Sequence, residues 1–244
     1  MDKVKKVFKR EFATRKNEIT SYINAISKRG KFPKNKFIIF AHYRTGSSLL
    51  SSLLNSHPDI TCERELFLQF IYLKYKKVLF PNLIIRDRLI NCKTNTYGFI
   101  LRLDQLEKIL LRFDGVPKDF LRNLSDNGWK IIHLKRKNYL KQSISNITSK
   151  IRGQSHDTFE KPLDKTTVYI DPNRLINTIS WMERTAAKED IILNEFAHLK
   201  IIYEDDLLHS DSHQNTMNKI FDYLELNKAS VETTFKRTST ENIG

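Results

Sequence analysis

The sequence predicts an α/β protein in which one parallel β-sheet is flanked by helices on both faces. Three segments have the composition of buried strands: residues 37–41, residues 129–134, and the stretch "HLKIIYEDDLL", which passes from a strand into acidic residues. Apolar residues at helical spacing follow each segment. Strands that alternate with helices over 244 residues are typical of a parallel sheet covered on both faces.

The first strand leads into a helix through a short polar loop. Leucines occur at positions 49, 50, 53 and 54, which is the spacing of one helical face. The N–H groups at a helix N-terminus favour an anion, through their exposed donors and through the helix dipole. Arg44 adds a full positive charge, and Thr45, Ser47 and Ser48 add hydroxyl donors. The loop therefore predicts a phosphate or sulfate site.

Composition points to anionic partners and to a reducing compartment. The chain carries 42 Lys and Arg against 28 Asp and Glu, a net charge of +14, which suits nucleotide, nucleic acid, anionic glycan or a membrane surface. Two cysteines make no disulfide framework. The sequence shows neither the apolar core of a signal peptide nor a run of about 18 apolar residues. We therefore expect a soluble cytoplasmic protein.

Residues 1–36 form a basic amino-terminal arm, and residues 37–244 form a single α/β domain. The arm carries 12 Lys and Arg and 3 Asp and Glu, a net charge of +9 (12 − 3). Its apolar residues recur at helical spacing in two groups, which predicts two basic amphipathic helices. Two interpretations remain open: the helices pack on the main domain, or they make peripheral contact with an anionic surface such as a membrane.

The polar loop departs from two common nucleotide-binding signatures. A P-loop needs G-x-x-x-x-G-K followed by Ser or Thr, whereas "AHYRTGSS" has one glycine and no lysine after it. The dinucleotide pattern G-x-G-x-x-G is absent from the sequence, and no His and Cys spacing resembles a zinc site. We therefore expect no metal cofactor and disfavour a metal-dependent phosphotransferase.

The arrangement "YRTGSSLL", followed by "NSHPDI" and "ERELF", resembles the sulfotransferases that use 3′-phosphoadenosine-5′-phosphosulfate (PAPS). It is most similar to the bacterial carbohydrate branch, typified by NodH-like and trehalose sulfotransferases. The resemblance implies a P-loop-like nucleotide-binding sulfotransferase fold, PAPS as donor and 3′-phosphoadenosine 5′-phosphate (PAP) as product. It also implies which residues hold the 5′-phosphosulfate, namely Arg44, Thr45, Gly46, Ser47 and Ser48, with Leu49 starting the helix.

A second segment, "KIIHLKRKNYLKQSIS", resembles the family's 3′-phosphate-binding unit. The resemblance assigns Arg136, at the strand end, to the 3′-phosphate. The spacing of the carbohydrate branch assigns the accompanying serine to Ser145, and Ser143 remains an alternative. A solvated basic turn is the other interpretation of "KRK". The segment "IIYEDDLL" resembles the family's structural "YEDL" strand, and the last basic segment suggests that Lys236 and Arg237 reach the cofactor.

Sulfuryl transfer also needs a base near the acceptor hydroxyl. The branch's "GELF" segment aligns with "RELF" here, which assigns the base to Glu65. The alternatives are Glu63, or a role for Glu65 as a surface carboxylate paired with Arg64. Arg44 suits the leaving phosphate. His42 either steadies the transferring sulfuryl group or is a hydrogen-bonded neighbour, and His57 is expected to close the helix.

The leading hypothesis is a PAPS-dependent sulfotransferase that acts on a hydroxyl of a carbohydrate or glycolipid. The alternative is a non-catalytic protein that binds nucleic acid or an anionic surface through its positive charge. Nucleic-acid stacking platforms need aromatic residues interleaved with basic ones, and this chain lacks that pattern, so we expect no specific nucleic-acid partner. Acceptor identity and oligomeric state stay open.

Overall fold

The computed structural model describes residues 2–71, 78–110, 117–153, 157–158 and 167–236. Its main sheet is built from β1 (Asn35–Ala41), β2 (Ile60–Glu65), β3 (Thr96–Leu101), β4 (Trp129–Lys135) and β6 (His198–Ile202). All five strands are parallel, in the order β2-β3-β1-β4-β6. A short antiparallel pair consists of β5 (Asp157–Thr158) and β7 (Phe235–Lys236).

Helices occur before, between and after the strands. In chain order they are α1 (Asp2–Ser27), α2 (Ser47–Asn55), α3 (Leu68–Ile71), α4 (Pro81–Asn91), α5 (Leu103–Leu110), α6 (Pro117–Asp126), α7 (Tyr139–Arg152), α8 (Pro172–Leu193) and α9 (His213–Leu224). A π-helical turn (Tyr203–Leu207) and a 3₁₀ turn (Ser210–Ser212) lie between β6 and α9.

The sheet is covered on both faces, as the sequence predicted. Alternate residues of β1 enter opposite cores, since successive side chains of a strand point to opposite faces. Ile38 and Phe40 pack among residues of α4, α5 and α6, whereas Phe37 and Ile39 pack among residues of α2 and α9. The Phe37 ring lies over Gly98 of β3, where an added Cβ would come within 2.3 Å of it. The fold class is therefore confirmed.

Several local predictions were wrong or incomplete. The basic arm forms the single continuous helix α1 instead of two, and β1 begins at Asn35, inside the predicted arm. The strands β2 and β3 were not predicted, and the acidic segment after β6 forms a π-helical turn. Helix α1 lies against α4, where the Arg86 Nε donates to the carbonyl of Ala25 at 2.9 Å. Within the described ranges, no helix has the length and apolarity needed to cross a membrane.

Candidate functional site

The predicted site residues collect at the carboxyl edge of the sheet. Glu65 ends β2, and the loop that contains Arg44 follows β1. Arg136 follows β4, and Tyr203 follows β6. Because the strands are parallel, their carboxyl ends share one edge, where α/β proteins of this architecture bind ligands. The topology thus brings residues that are distant in sequence to one place.

The loop between β1 and α2 has an unusual backbone that requires glycine at one position. Arg44 and Gly46 both have left-handed backbone angles, with φ of 59° and 93°. A Cβ on Gly46 would lie 2.6 Å from the Tyr203 ring, so the loop approaches this ring more closely than any side chain allows. The Thr45 hydroxyl donates to the carbonyl of His42 at 2.8 Å, which closes the loop from inside.

Helix α2 begins two residues earlier than predicted. Its first residue is Ser47, with Gly46 at the N-cap, whereas the resemblance placed the start at Leu49. Ser47 and Ser48 are therefore in the first helical turn, and both are partly exposed. The amides of this turn have no intrahelical acceptor, because the first four N–H groups of any helix lack one. The helix start can therefore receive an anion, as the sequence analysis required.

Two arginines and one serine from separate segments meet beside this loop. Arg44 Nε donates to Ser145 Oγ at 2.8 Å, and Arg136 Nη1 donates to the carbonyl of Arg44 at 3.0 Å. Ser143, the alternative to Ser145, is buried and contacts the Met182 sulfur at 3.3 Å. Of the two candidate serines, the structure thus brings Ser145 next to Arg44 and directs Ser143 into the core.

The arginine pair carries concentrated positive charge. Burial lowers the pKa of Arg44, and the neighbouring charge of Arg136 lowers it further. Arg136 stacks on the Tyr203 ring at 4.7 Å and lies 3.4 Å from a Glu204 oxygen, as an ion pair without hydrogen-bond geometry. Glu204 also accepts from the backbone N–H of Lys137 at 2.8 Å, so it fixes the turn that carries Arg136. An anion between the two guanidinium groups would relieve their repulsion.

Glu65 belongs to a second cluster, centred on the buried Arg102. The Arg102 Nη1 donates to Glu65 Oε2, and its Nε donates to Asp104 at 2.9 Å. Gln105 Nε2 also donates to Glu65, at 3.0 Å. Tyr43 bridges the cluster to the loop, because its hydroxyl donates to Asp104 at 2.8 Å and accepts from Arg102 at 2.9 Å.

The cluster leaves Glu65 with a raised pKa. Burial is the main cause, and the charge and hydrogen bond of Arg102 oppose it. Glu65 does not pair with Arg64, as one interpretation of the sequence proposed; the Arg64 guanidinium lies over the Phe235 ring at 5.3 Å. Glu63, the other candidate base, lies 3.5 Å from Arg88. Glu65 thus keeps the property that a base needs near neutral pH, a pKa moved upward.

His42 is buried between the loop and α8. Its ring lies 4.7 Å from the Trp181 ring and 5.4 Å from the Tyr43 ring, centre to centre. Burial lowers the pKa of His42 to about 4, so the imidazole is neutral at pH 7. Among the described residues its Nε2 has no hydrogen-bond partner, although this atom is buried. A neutral, unsatisfied ring nitrogen beside an anion loop can donate to or accept from a ligand.

His57 and Cys62 have structural surroundings. His57 Nδ1 accepts from the backbone N–H of Asp59 at 3.1 Å, and its Nε2 lies 2.9 Å from the carbonyl of Asn227. It therefore closes the turn after α2, as expected. Burial raises the pKa of Cys62 to about 12, which leaves this thiol protonated and packed.

A cavity of about 490 Å³ opens between α7 and α8, next to the loop. It is lined by Asn146, Lys150, Asp171, Asn173, Arg174, Asn177, Thr178 and Trp181. Trp181 connects the two regions because it also contacts His42. Most of the lining side chains can donate or accept hydrogen bonds. The cavity thus combines an aromatic surface with amides and charges beside the candidate anion site.

Sequence analysis missed Arg102 and Trp181. Arg102 follows β3 directly, as Arg136 follows β4, but β3 was not recognised in the sequence. Nothing in the sequence distinguishes Trp181 from a core residue. Arg237 lies outside the described residues, and Lys236 is described only as backbone in β7. In the described ranges, no group of three or more His, Cys, Asp or Glu is arranged to hold a metal ion.

Comparison with solved structures finds a distant structural neighbour of this chain. No protein-family model and no curated protein sequence matches this chain. The structure of mouse sulfotransferase SULT7A1 complexed with PAP is similar to it, at 13% sequence identity and a TM-score of 0.40. The similarity covers 82% of this chain and 62% of that one, so this chain spans less than two thirds of the neighbour's length. Similarity at this level does not by itself assign an activity.

Proposed function

We propose that the protein is a PAPS-dependent sulfotransferase that transfers a sulfuryl group to a hydroxyl of a carbohydrate or glycolipid. Within the family we assign it to the bacterial carbohydrate branch, as the motif resemblance implies. The observation that carries the proposal is the convergence of Arg44, Arg136 and Ser145 at the start of α2. Two segments that each resemble part of one binding site lie side by side, although more than 90 positions separate Arg44 from Arg136.

The residues at the carboxyl edge fit a nucleotide with two anionic ends. Gly46 allows the backbone to approach closely, and the first turn of α2 offers amides and the hydroxyls of Ser47 and Ser48. These groups suit the 5′-phosphosulfate together with Arg44. The planar guanidinium of Arg136 suits the 3′-phosphate, which it can bind with two parallel hydrogen bonds, and Ser145 adds a hydroxyl.

When bound, PAPS supplies an activated sulfuryl group on a phosphate leaving group. The protein supplies position and charge. Arg44 and the α2 amides balance the negative charge that grows on the leaving phosphate. Glu65 accepts the proton of the acceptor hydroxyl, helped by its raised pKa and held in place by Arg102 and Gln105. His42, neutral at pH 7, offers its unsatisfied Nε2 to an oxygen of the transferring group.

The cavity between α7 and α8 supports a carbohydrate acceptor. Sugar hydroxyls both donate and accept hydrogen bonds, and the side-chain amides of Asn146, Asn173 and Asn177 do the same. The C–H face of a sugar ring can pack on the ring of Trp181. Because Trp181 also touches His42, a sugar bound there would lie close to the anion loop.

The alternative, a basic protein that binds nucleic acid without catalysis, loses part of its support. Its best features were the basic arm of residues 1–36 and the basic run at positions 135–137. Lys135 Nζ donates to Asp190 at 2.6 Å, Arg136 pairs with Glu204, and Lys137 donates to Asp205. These acidic partners lower the positive potential that a nucleic-acid phosphate would meet. Binding measurements with nucleotides and DNA distinguish this alternative from the proposed sulfotransferase.

Titration calorimetry with PAP, ATP and duplex DNA tests the proposed function. A sulfotransferase binds PAP more tightly than ATP, because only PAP has the 3′-phosphate that Arg136 is proposed to contact. Incubation with PAPS and mixed oligosaccharide acceptors should then yield PAP and a sulfated sugar. DNA binding that weakens steeply with salt, combined with no preference for PAP, would support the alternative instead.

A further inference from the structure

Helix α1 presents large apolar side chains to solvent. Among residues 11–27 of this helix, the large exposed apolar side chains are Phe12 (74% exposed), Ile19 (55%), Ile23 (59%) and Ile26 (74%). At 3.6 residues per turn, these four project from the helix within about 60° of one another. They form a continuous strip, which we call the α1 stripe. A stripe of this kind is ordinarily the face that a surface helix buries against its own protein.

The opposite side of α1 is the one that packs against the protein. Its buried residues are small or polar: Thr14, Glu18, Ser21 and Ala25. Glu18 accepts from the Tyr22 hydroxyl at 2.6 Å and from the backbone N–H of Leu79 at 3.2 Å. Arg86 of α4 donates to the carbonyl of Ala25. These hydrogen bonds fix the rotation of the helix, so the outward direction of the α1 stripe follows from specific contacts.

Basic residues lie beside the α1 stripe and beyond the carboxyl end of its helix. Residues 1–36 carry a net charge of +9, from 12 basic and 3 acidic residues. Lys16 is exposed beside the stripe, and Lys28, Arg29 and Lys31 are exposed where the helix ends. Phe32, 40% exposed, lies in this basic region, where the Arg86 guanidinium of α4 stacks on its ring at 5.2 Å. The surface therefore joins an apolar strip to a cationic border.

We propose that the α1 stripe docks the protein on a membrane that contains anionic phospholipids. The helix would lie in the interface plane, with the stripe entering the boundary between head groups and acyl chains, and with the basic residues near the lipid phosphates. A second copy of the chain could also cover an apolar strip. The charge of +9 on each arm opposes that arrangement, because two such arms repel each other, whereas it favours an anionic lipid surface.

Vesicle flotation of the full-length protein tests the proposal. We expect binding to vesicles with about 30% phosphatidylserine at roughly 0.1 M salt, and binding at least about tenfold weaker to pure phosphatidylcholine. The double variant Ile19→Gln/Ile23→Gln should bind the anionic vesicles about tenfold less or weaker still, since two large apolar side chains no longer enter the lipid. Glutamine is a good helix former, so α1 itself should persist.

Two further variants make the test decisive. Ile191→Gln is the matched control, because Ile191 is 74% exposed like Ile26 but lies on α8, and this variant should bind as the wild type does. Lys28→Gln/Arg29→Gln should weaken binding to anionic vesicles alone. Equal binding of wild type and the Ile19/Ile23 variant would overturn the proposal. A dimer in sedimentation equilibrium that the same variant dissociates would also overturn it, in favour of a second copy.

Discussion

Two arginine clusters lie along the same edge of the sheet and differ in the charges around them. In the first, Arg44 and Arg136 converge, and Glu204 is the carboxylate that pairs with Arg136. In the second, the single guanidinium of Arg102 contacts both Glu65 and Asp104. The first cluster holds two guanidinium groups beside the carboxylate of Glu204, whereas in the second one guanidinium contacts two carboxylates, and Lys108 lies 3.6 Å from one of them, Asp104.

The difference teaches that an arginine after a strand end is not by itself an anion site. Arg102 is buried and already holds two carboxylates, so its role is to position Glu65 and to balance its charge. Arg44 and Arg136 repel each other, and this repulsion makes an added anion favourable. The acidic partners around each cluster thus explain why we assign a ligand to Arg44 and Arg136 but not to Arg102.

The largest expected effect comes from the second cluster. Glu65→Gln keeps the side-chain shape and an oxygen that can accept from Arg102, but it removes the proton acceptor. We expect kcat for sulfuryl transfer to fall by about 10²–10⁴, while PAP affinity changes little. The acidic limb of the pH–rate profile should disappear as well. Steady-state kinetics over a pH range, together with PAP calorimetry, measure both quantities.

Glu63→Gln is the matched control for this change. Glu63 is on the same strand but pairs with Arg88, outside both clusters, so its variant should keep nearly full activity. Glu65 is not the base if its variant retains more than about a tenth of wild-type kcat, a loss smaller than positioned bases usually produce.

The next largest expected effect is a loss of PAP affinity when Arg136, in the first cluster, is replaced. Arg136→Ala removes the guanidinium assigned to the 3′-phosphate, and a charged hydrogen bond contributes roughly 1.5–3 kcal/mol. PAP binding should therefore weaken by one to two orders of magnitude. Adenosine 5′-phosphosulfate lacks the 3′-phosphate, so its affinity should barely change. Calorimetry with both ligands separates the two cases.

Lys137→Ala controls for loss of charge alone. Lys137 is the next residue, carries the same charge and pairs with Asp205 at the surface. Its variant should bind PAP almost normally. If Arg136→Ala weakened the binding of PAP and of adenosine 5′-phosphosulfate equally, Arg136 would not be the residue that contacts the 3′-phosphate.

The fold could be predicted from the sequence where an apolar run coincides with a buried strand. Strands β1 and β4 are almost wholly buried, and their apolar runs are interrupted by few polar residues. Strand β2 was missed because its sequence "ITCERE" contains only two apolar residues, Ile60 and Cys62, and forms no apolar run; the strand lies at the edge of the sheet. Strand β3 was missed because only Arg102 separates its apolar run from the helical pattern of α5.

The proximity of Arg44 and Arg136 was predictable from the sequence, because a motif and a strand end coincide at both positions. The Arg102 cluster was not, because its contacts with Glu65 depend on the pairing of β2 with β3. The face of α1 that packs on the protein also could not be predicted from the sequence. Its buried face is set by Glu18 and Ala25, which bond to the α4 region, and polar hydrogen bonds of this kind leave no hydrophobic period in the sequence.

The smallest expected effect is on the free energy of unfolding. It distinguishes the two carboxylates that Arg102 contacts, Glu65 and Asp104. Burial raises the pKa of Asp104, but the Arg102 charge and hydrogen bond outweigh it, so the net pKa is lowered. Asp104→Asn should therefore cost about 1.5 kcal/mol of unfolding free energy at pH 7. This cost should shrink as pH falls below the ordinary range of aspartate toward the folded pKa, because the wild type then gains its proton too.

Glu65 should show the opposite pH dependence. Its folded pKa is raised, so the folded protein holds its proton at pH values where the unfolded chain has lost it, and the wild type loses stability as pH rises through that range. Relative to wild type, Glu65→Gln should therefore become more stable with rising pH, while Asp104→Asn becomes less stable. Urea unfolding of both variants between about pH 3 and 8 measures the slopes. Slopes of the same sign for the two variants would contradict the opposite pKa shifts of Glu65 and Asp104, the first raised by burial and the second lowered by Arg102.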